Sequence, residues 1–232
     1  MKKKIAIVGY GQFGRFMAKH LRPYGTIIPV KRDTDPEKVR SCDIVIFSVS
    51  FDGLESVCER LKPFIAPQAA IVDVTSVKQK PLRILQKHFP AHAILGTHPI
   101  FGPQSGKNGI AGLPIVLCNV SFPKNKYAAV KKFLKNELQL HVIEQTPKEH
   151  DYEMAHVQGL THLIGRAIKR LDIQDFKTHT KSYEQLLELK KLLQDDTWEL
   201  FKTIQDTNPE AKKVRKRFQK EILQIEKDLE KK

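Results

Sequence analysis

The chain has 232 residues, 41% hydrophobic and 28% charged, which is enough apolar material for a packed core and excludes wholesale disorder. Its longest unbroken apolar runs, at 5–8 and 44–47, fall far short of the ~20 residues that cross a bilayer, so no membrane partner is expected. Forty Lys+Arg against 26 Asp+Glu give a formal charge of +14, unevenly spread: residues 1–147 carry 22 basic and 10 acidic side chains, residues 148–232 carry 18 and 16. No nucleic-acid motif or aromatic platform accompanies the excess, which points to a small polyanionic ligand of the N-terminal part, not to nucleic acid.

In chain order, short apolar runs at 5–8, 26–30, 43–49, 69–73, 92–95, 113–117 and 140–144 read as strands. Helical patterns at 13–21, 54–61, 82–88 and 127–138 separate several of them, and this alternation predicts an α/β domain with a mostly parallel, Rossmann-type sheet over residues 1–147. The lysines at the N-terminus run straight into the first strand, so no leader peptide is expected ahead of it.

At 146 the character changes. Thr146-Pro147-Lys148-Glu149 reads as a capping box with proline in the first turn. The remaining residues, 148–232, read as a small all-helical domain of three helices: one continuing past Ile168, one over 183–204, and one carrying Val214, Phe218, Ile222, Ile225 and Leu229 at spacings of three and four. So small a core with such long apolar seams predicts a homodimer built through this half.

Gly9-Tyr10-Gly11-Gln12-Phe13-Gly14 follows a strand and opens a helix. The spacing suits a dinucleotide: the first glycine for a tight turn, the second for close approach of a pyrophosphate, the third for helix–strand packing. The second strand closes on Lys31-Arg32-Asp33. Arg32 can fork two hydrogen bonds onto a ribose 2′-phosphate, which favours NADP, while the adjacent Asp33 keeps NAD open. Ser48 and Val49, ending the third strand, complete the expected cofactor set with Gly9, Gly11, Gln12, Phe13, Gly14 and Arg32. Cys42, Cys58 and Cys118 are scattered without a CxxC pair, so neither a metal site nor a disulfide framework is expected, and a reducing, cytoplasmic setting is.

Two further strings, Asp73-Val74-Thr75-Ser76-Val77-Lys78 and Gly96-Thr97-His98-Pro99-Ile100-Phe101-Gly102-Pro103, stand with Ser105-Gly106-Lys107-Asn108-Gly109, Glu149-His150-Asp151, Gln158-Gly159-Leu160-Thr161-His162 and Asp172-Ile173-Gln174. Together with the glycine loop they resemble the prephenate/arogenate dehydrogenase family of tyrosine biosynthesis, closest to its plant-type branch, over almost the whole chain. The resemblance implies oxidative decarboxylation of a small dicarboxylate, arogenate or prephenate, with the former favoured. It places His98 as the group that accepts the 4-hydroxyl proton and Ser76 beside it, His98 lying just beyond the fifth strand. It implies substrate contacts from Gln158 and His162. Many bacterial members use an arginine where this chain has Leu192, so Lys190 and Lys107 are the substitutes considered for the substrate carboxylate, and Asn108 is the polar residue considered where arogenate and prephenate differ, at the side-chain ammonium or keto group. His150 and Asp151 are expected to stabilise the first turn of their helix. The competing readings are another Rossmann dehydrogenase with a helical second domain, such as a β-hydroxyacid dehydrogenase or imine reductase, and a dinucleotide-sensing module without turnover.

Overall fold

In the computed structural model, which describes residues 2–194 and 196–231, seven strands form one sheet in the order β2-β1-β3-β4-β5-β6-β7. They are β1 (Lys3–Val8), β2 (Gly25–Val30), β3 (Ile44–Phe47), β4 (Ala70–Asp73), β5 (Ile94–Pro99), β6 (Pro114–Asn119) and β7 (His141–Glu144). All pairings are parallel except β5 with β6. Helices α1 (Gln12–Leu21), α2 (Phe51–Leu61), α3 (Gln79–His88) and α4 (Lys124–Asn136) supply the intervening layers.

Alternation along β1 shows why both faces are covered. Ala6 and Val8 point into a core with Val45, Phe47, Leu54, Leu61 and Leu82, whereas Ile5 and Ile7 point the other way, toward Ala18 and Ile46. In α2 the buried residues are Leu54, Cys58 and Leu61, spaced at four and three on the face that meets the sheet. In α1 the buried pair is Gly14 and Ala18, small side chains that let the helix sit close to β1.

Strand β5 departs from expectation. It runs Ile94–Pro99, later than the apolar run at 92–95, and His98 therefore lies within the strand, opposite Val116 of β6, not on a loop beyond it. The stretch Gly96-Thr97-His98 lacks apolar alternation because its side chains are buried by polar contacts: the Thr97 hydroxyl donates to the Asp73 carbonyl at 2.8 Å.

By internal contacts the chain divides into two compact units, Met1–His150 and Asp151–Lys232, so the division falls three residues past the expected boundary at 147. It lies inside α5 (Pro147–Met154), whose start is capped reciprocally: Thr146 N donates to Glu149 Oε2 (2.8 Å) and Glu149 N to Thr146 Oγ1 (3.2 Å). The helical run continues through a π-helical segment, Ala155–Leu160, into α6 (Thr161–Leu171). Asp172, in the left-handed region at φ 50°, ends it.

The second expected helix, over 183–204, is broken. Helix α7 (Lys181–Leu192) stops, and α8 (Trp198–Lys202) restarts behind Thr197, whose side chain accepts from Leu200 N at 3.1 Å, before a second π-helical segment, Thr203–Thr207. The break survives because α6 satisfies its carbonyls: Lys169 donates to Gln194 O (2.9 Å), and Arg166 to Asp196 O (3.1 Å) and Thr197 O (3.3 Å). Helix α9 (Ala211–Glu230) follows; its Ile222, Ile225 and Leu229 are 49%, 56% and 81% exposed. Among the described residues no helix is long and apolar enough to cross a membrane.

Candidate active site

The order β2-β1-β3 puts a topological switch point at the C-terminal ends of β1 and β3, where open α/β sheets bind ligands. The glycine turn sits there. Gly9 has φ +90°, and a Cβ on it would lie 2.3 Å from Ser48 O and 2.9 Å from Val49 Cγ1. A Cβ on Gly14 would lie 2.3 Å from Gly9 O, so the turn, the start of α1 and the end of β3 are mutually fitted. Over Gly11, by contrast, a Cβ would meet nothing within 4 Å. Open space above the second glycine, at the amino end of a ten-residue helix, is the cradle a pyrophosphate requires. These residues fit a dinucleotide.

A second cluster lies at the ends of β4 and β5. Lys78 and Asp73 have no exposed side-chain surface and form an ion pair. The Lys78 ammonium also donates to Thr97 O at 2.7 Å, and the Thr75 hydroxyl lies 2.8 Å from Asp73 Oδ1. One residue beyond Thr97, the buried His98 places its Nδ1 2.9 Å from Nε2 of His150, which is itself fully buried at the start of α5. Burial first, then the neighbouring His150 and the Lys78 charge, hold the His98 imidazole well below the ordinary histidine pKa, so it is neutral at pH 7. A neutral, oriented imidazole beside a ligand-binding sheet edge can act as a proton acceptor.

The structure thus packs Gly9 of the turn against Gly14 of α1 and against Ser48 and Val49 just past β3, with Gln12 and Phe13 in the first turn of α1. Ser76 is half-buried on the segment that carries Asp73 and Lys78. Arg32 is exposed at the end of β2, and Lys107 and Asn108 are exposed on the chain between β5 and β6. The other candidates belong to the helical unit. Gln158 lies in the π-helical segment with a buried Oε1 that has no hydrogen-bond partner among the described residues. His162 Nδ1 is 2.9 Å from Asp196 Oδ2. Lys190 donates to Ile173 O (2.7 Å) and sits 3.5 Å from Asp172 Oδ1, at the turn that ends α6.

Sequence reasoning missed His150 and the Asp73–Lys78 pair. His150 stands in a helix start whose polar residues have an adequate local explanation, and its pairing with a histidine 52 positions away leaves no periodic trace. For the ion pair a signal was present: an acid and a lysine five residues apart, closing one apolar strand and opening a helix, are poorly placed to be solvated.

A glycine turn at the switch point of a mostly parallel sheet, followed by a helical unit, defines a Rossmann-type nucleotide-binding protein of the dehydrogenase class. The profile described as "Prephenate dehydrogenase, nucleotide-binding domain" matches residues 22–143, and one described as "TYRAAT1-like, C-terminal domain" matches residues 167–232. Arogenate dehydrogenase 2, chloroplastic, of Arabidopsis thaliana is 32% identical over 251 residues, covering 97% of this chain and 70% of that protein; Arogenate dehydrogenase 1, chloroplastic, of the same plant is 30% identical, with 93% and 37% covered. Among solved structures, prephenate dehydrogenase from Aquifex aeolicus superposes with a TM-score of 0.77 at 22% identity over 96% of this chain and 90% of that one. Arogenate dehydrogenase of Synechocystis does so at 0.72 and 18%, over 98% and 92%. The chain belongs to the prephenate/arogenate dehydrogenase family.

The two glycines should separate under substitution. Gly9→Ala forces a side chain into positive φ and onto the Ser48 carbonyl, and is expected to cost at least about 2 kcal/mol of stability in a denaturant melt. Gly11→Ala should stay within ~0.5 kcal/mol of the parent in the same melt while weakening dinucleotide binding roughly tenfold or more, read by fluorescence titration. Equal effects on folding would remove the pyrophosphate from Gly11. For the buried pair, Lys78→Met alone should destabilise by about 3–5 kcal/mol because it strands the Asp73 carboxylate, and adding Asp73→Asn should return part of that loss.

Proposed function

We propose that the protein is an NADP-preferring dehydrogenase that oxidatively decarboxylates arogenate or prephenate, arogenate being favoured, to tyrosine or 4-hydroxyphenylpyruvate. The observation that carries this reading is the buried His98–His150 pair on β5 and α5, in the unit whose sheet also bears the switch-point glycine turn. The relatives' names supply the substrate class, and the Arabidopsis protein to which the chain is 32% identical is named for arogenate.

Gly9, Gly11, Gln12, Phe13, Gly14, Ser48 and Val49 would hold the dinucleotide, with Arg32 at the adenosine ribose. When bound, the nicotinamide supplies the hydride acceptor for the carbon that bears the substrate's ring hydroxyl. The chain's own task is the proton. With Nδ1 of His98 carrying a hydrogen and donating it to Nε2 of His150, Nε2 of His98 is left as the acceptor for the hydroxyl proton, while the ring carboxylate departs as carbon dioxide and the ring becomes aromatic. The hydrogen bond to His150 fixes the tautomer, the role an aspartate takes in hydrolase triads. Ser76 is proposed to orient His98 and the substrate hydroxyl. The half-buried Gln158, with its unpartnered Oε1, and His162 are proposed as the helical unit's polar contacts to substrate, and Lys107 and Asn108 as contacts from the β5–β6 connection. Lys190, whose ammonium is held at Ile173 O and near Asp172, is proposed as the further candidate for a substrate carboxylate.

The cofactor preference rests on Arg32. A solved relative from A. aeolicus is described in complex with NAD+, so family membership alone leaves the dinucleotide open, and a guanidinium ending β2 is what favours the phosphorylated form here. Pairing with a second copy through the helical unit is supported by the exposed Ile222, Ile225 and Leu229. A reducing, cytoplasmic setting is supported by three buried free thiols, of which burial pushes Cys58 up to about 12; the plant relatives are named chloroplastic.

A two-by-two assay of arogenate or prephenate with NADP or NAD tests the whole reading. Turnover is expected with NADP and arogenate above the other pairs, and absence of turnover in all four would make the protein a dinucleotide-binding module without catalysis. Arg32→Ala should raise the KM for NADP roughly tenfold while changing that for NAD little; equal changes would remove the NADP preference. His98→Asn should lower kcat by about 10²-fold or more with cofactor binding retained. Because His98 is held neutral, the acid limb of kcat should fall below the ordinary histidine value near 6.5, activity persisting as pH drops through that value. An acid limb above it would take His98 out of the role.

A further inference from the structure

The turn that follows β2 has no strand to pair with, and Lys31, Arg32 and Asp33 are all exposed, yet its backbone is firmly tied. Lys31 N donates to Thr34 Oγ1 at 2.8 Å and Thr34 N to Lys31 O at 3.3 Å, closing a small loop. A side chain from elsewhere then gathers its carbonyls. Arg60, in the last turn of α2, donates through Nη1 to Arg32 O (3.2 Å) and Thr34 O (3.1 Å), and through Nη2 to Lys31 O (3.2 Å). A planar guanidinium with several donors in fixed directions is suited to collecting three acceptors at once; an ammonium is not. With the carbonyls drawn toward α2, the Lys31 and Arg32 side chains remain in solvent.

We propose that Arg60 is a positioning residue for cofactor selection: by holding the carbonyls of Lys31, Arg32 and Thr34 it presets the turn from which Arg32 meets a ribose 2′-phosphate. The inference rests on the NADP reading given above and extends it to a residue that acts on the backbone of the turn through Arg32, Thr34 and Lys31. The physical reason is preorganisation. A turn with unpaired backbone must be ordered when ligand binds, and that cost is avoided when an internal clamp has already ordered it. The clamp acts on the backbone of the residue that reads the phosphate, so its loss falls on that contact and spares the pyrophosphate seat at Gly9, Gly11 and Gly14.

The test uses 2′,5′-ADP (adenosine 2′,5′-bisphosphate) and 5′-AMP as probes, titrated calorimetrically into the full chain, so that the 2′-phosphate is the only difference between them. Arg60→Gln is expected to weaken 2′,5′-ADP about tenfold while 5′-AMP changes by less than about twofold, and Arg60→Lys to fall between Gln and the parent. Parallel losses for both probes, or full retention of 2′,5′-ADP affinity, would overturn the proposal. Arg32→Ala keeps the two readings apart. If it abolishes the preference for 2′,5′-ADP and Arg60→Gln does not, only the positioning role falls. If the parent chain itself binds 5′-AMP as tightly as 2′,5′-ADP, the NADP reading falls and this inference with it. Should Arg60→Gln fail to fold in a thermal melt, Arg60→Lys, which keeps the charge, decides on the same two probes.

Discussion

A lysine and an aspartate with no exposed side-chain surface, joined between the ends of two neighbouring strands, set the terms for the rest of the N-terminal unit. Taking both charges out of water costs several kcal/mol per ion, and attraction between them offsets this only when the remaining donors and acceptors are also engaged. Here they are: Lys78 reaches the Thr97 carbonyl, Thr75 reaches Asp73, and Thr97 returns a hydrogen bond to the Asp73 backbone. The result is a polar bracket between β4 and β5 in a place where the sheet would otherwise be held by apolar packing. Thr97, which the bracket engages, directly precedes His98, whose imidazole is kept neutral first by burial, then by His150, with the Lys78 charge the smallest of the three contributions.

The unit therefore separates two jobs along one sheet. At the β1–β3 junction, backbone shape does the work: Gly9 and Gly14 have no room for a Cβ, whereas the space over Gly11 is open. Two strands away, at β4 and β5, side-chain electrostatics does it. The basic excess of residues 1–147 is consistent with a polyanion attracted to the first region, while the second is neutralised internally, so long-range attraction and local proton chemistry do not compete for the same groups.

Much of this was legible in the residues themselves. The glycine spacing, the parallel sheet and the capping box at Thr146 follow from local rules in which each residue's duty depends on neighbours within a few positions. What escaped depends on distance in sequence. The extent of β5 was misjudged because Thr97 and His98 are buried by partners at 73 and 150, and no alternation marks a strand whose interior is polar. The break before α8 was missed for a similar reason: an apolar pattern continues across it, and the carbonyls that make it tolerable are satisfied by Lys169 and Arg166 on another helix. His150 had a sufficient local explanation, and that concealed its partner.

The π-helical segment between α5 and α6 has a consequence for how this part of the molecule can change over evolutionary time. Gln205, in the second such segment, donates to the Gly159 carbonyl at 2.6 Å and is itself gripped by Arg215 at 2.6 Å. A wide turn of this kind holds one residue more than the regular helix allows, so removing a single residue from 155–160 would restore ordinary winding and swing everything downstream by roughly 100°. His162 would then look in another direction with its chemistry intact, and Gln205 would lose its acceptor. Residue count in this stretch thus sets which way His162 faces along its own helical run, whichever side chains fill the segment.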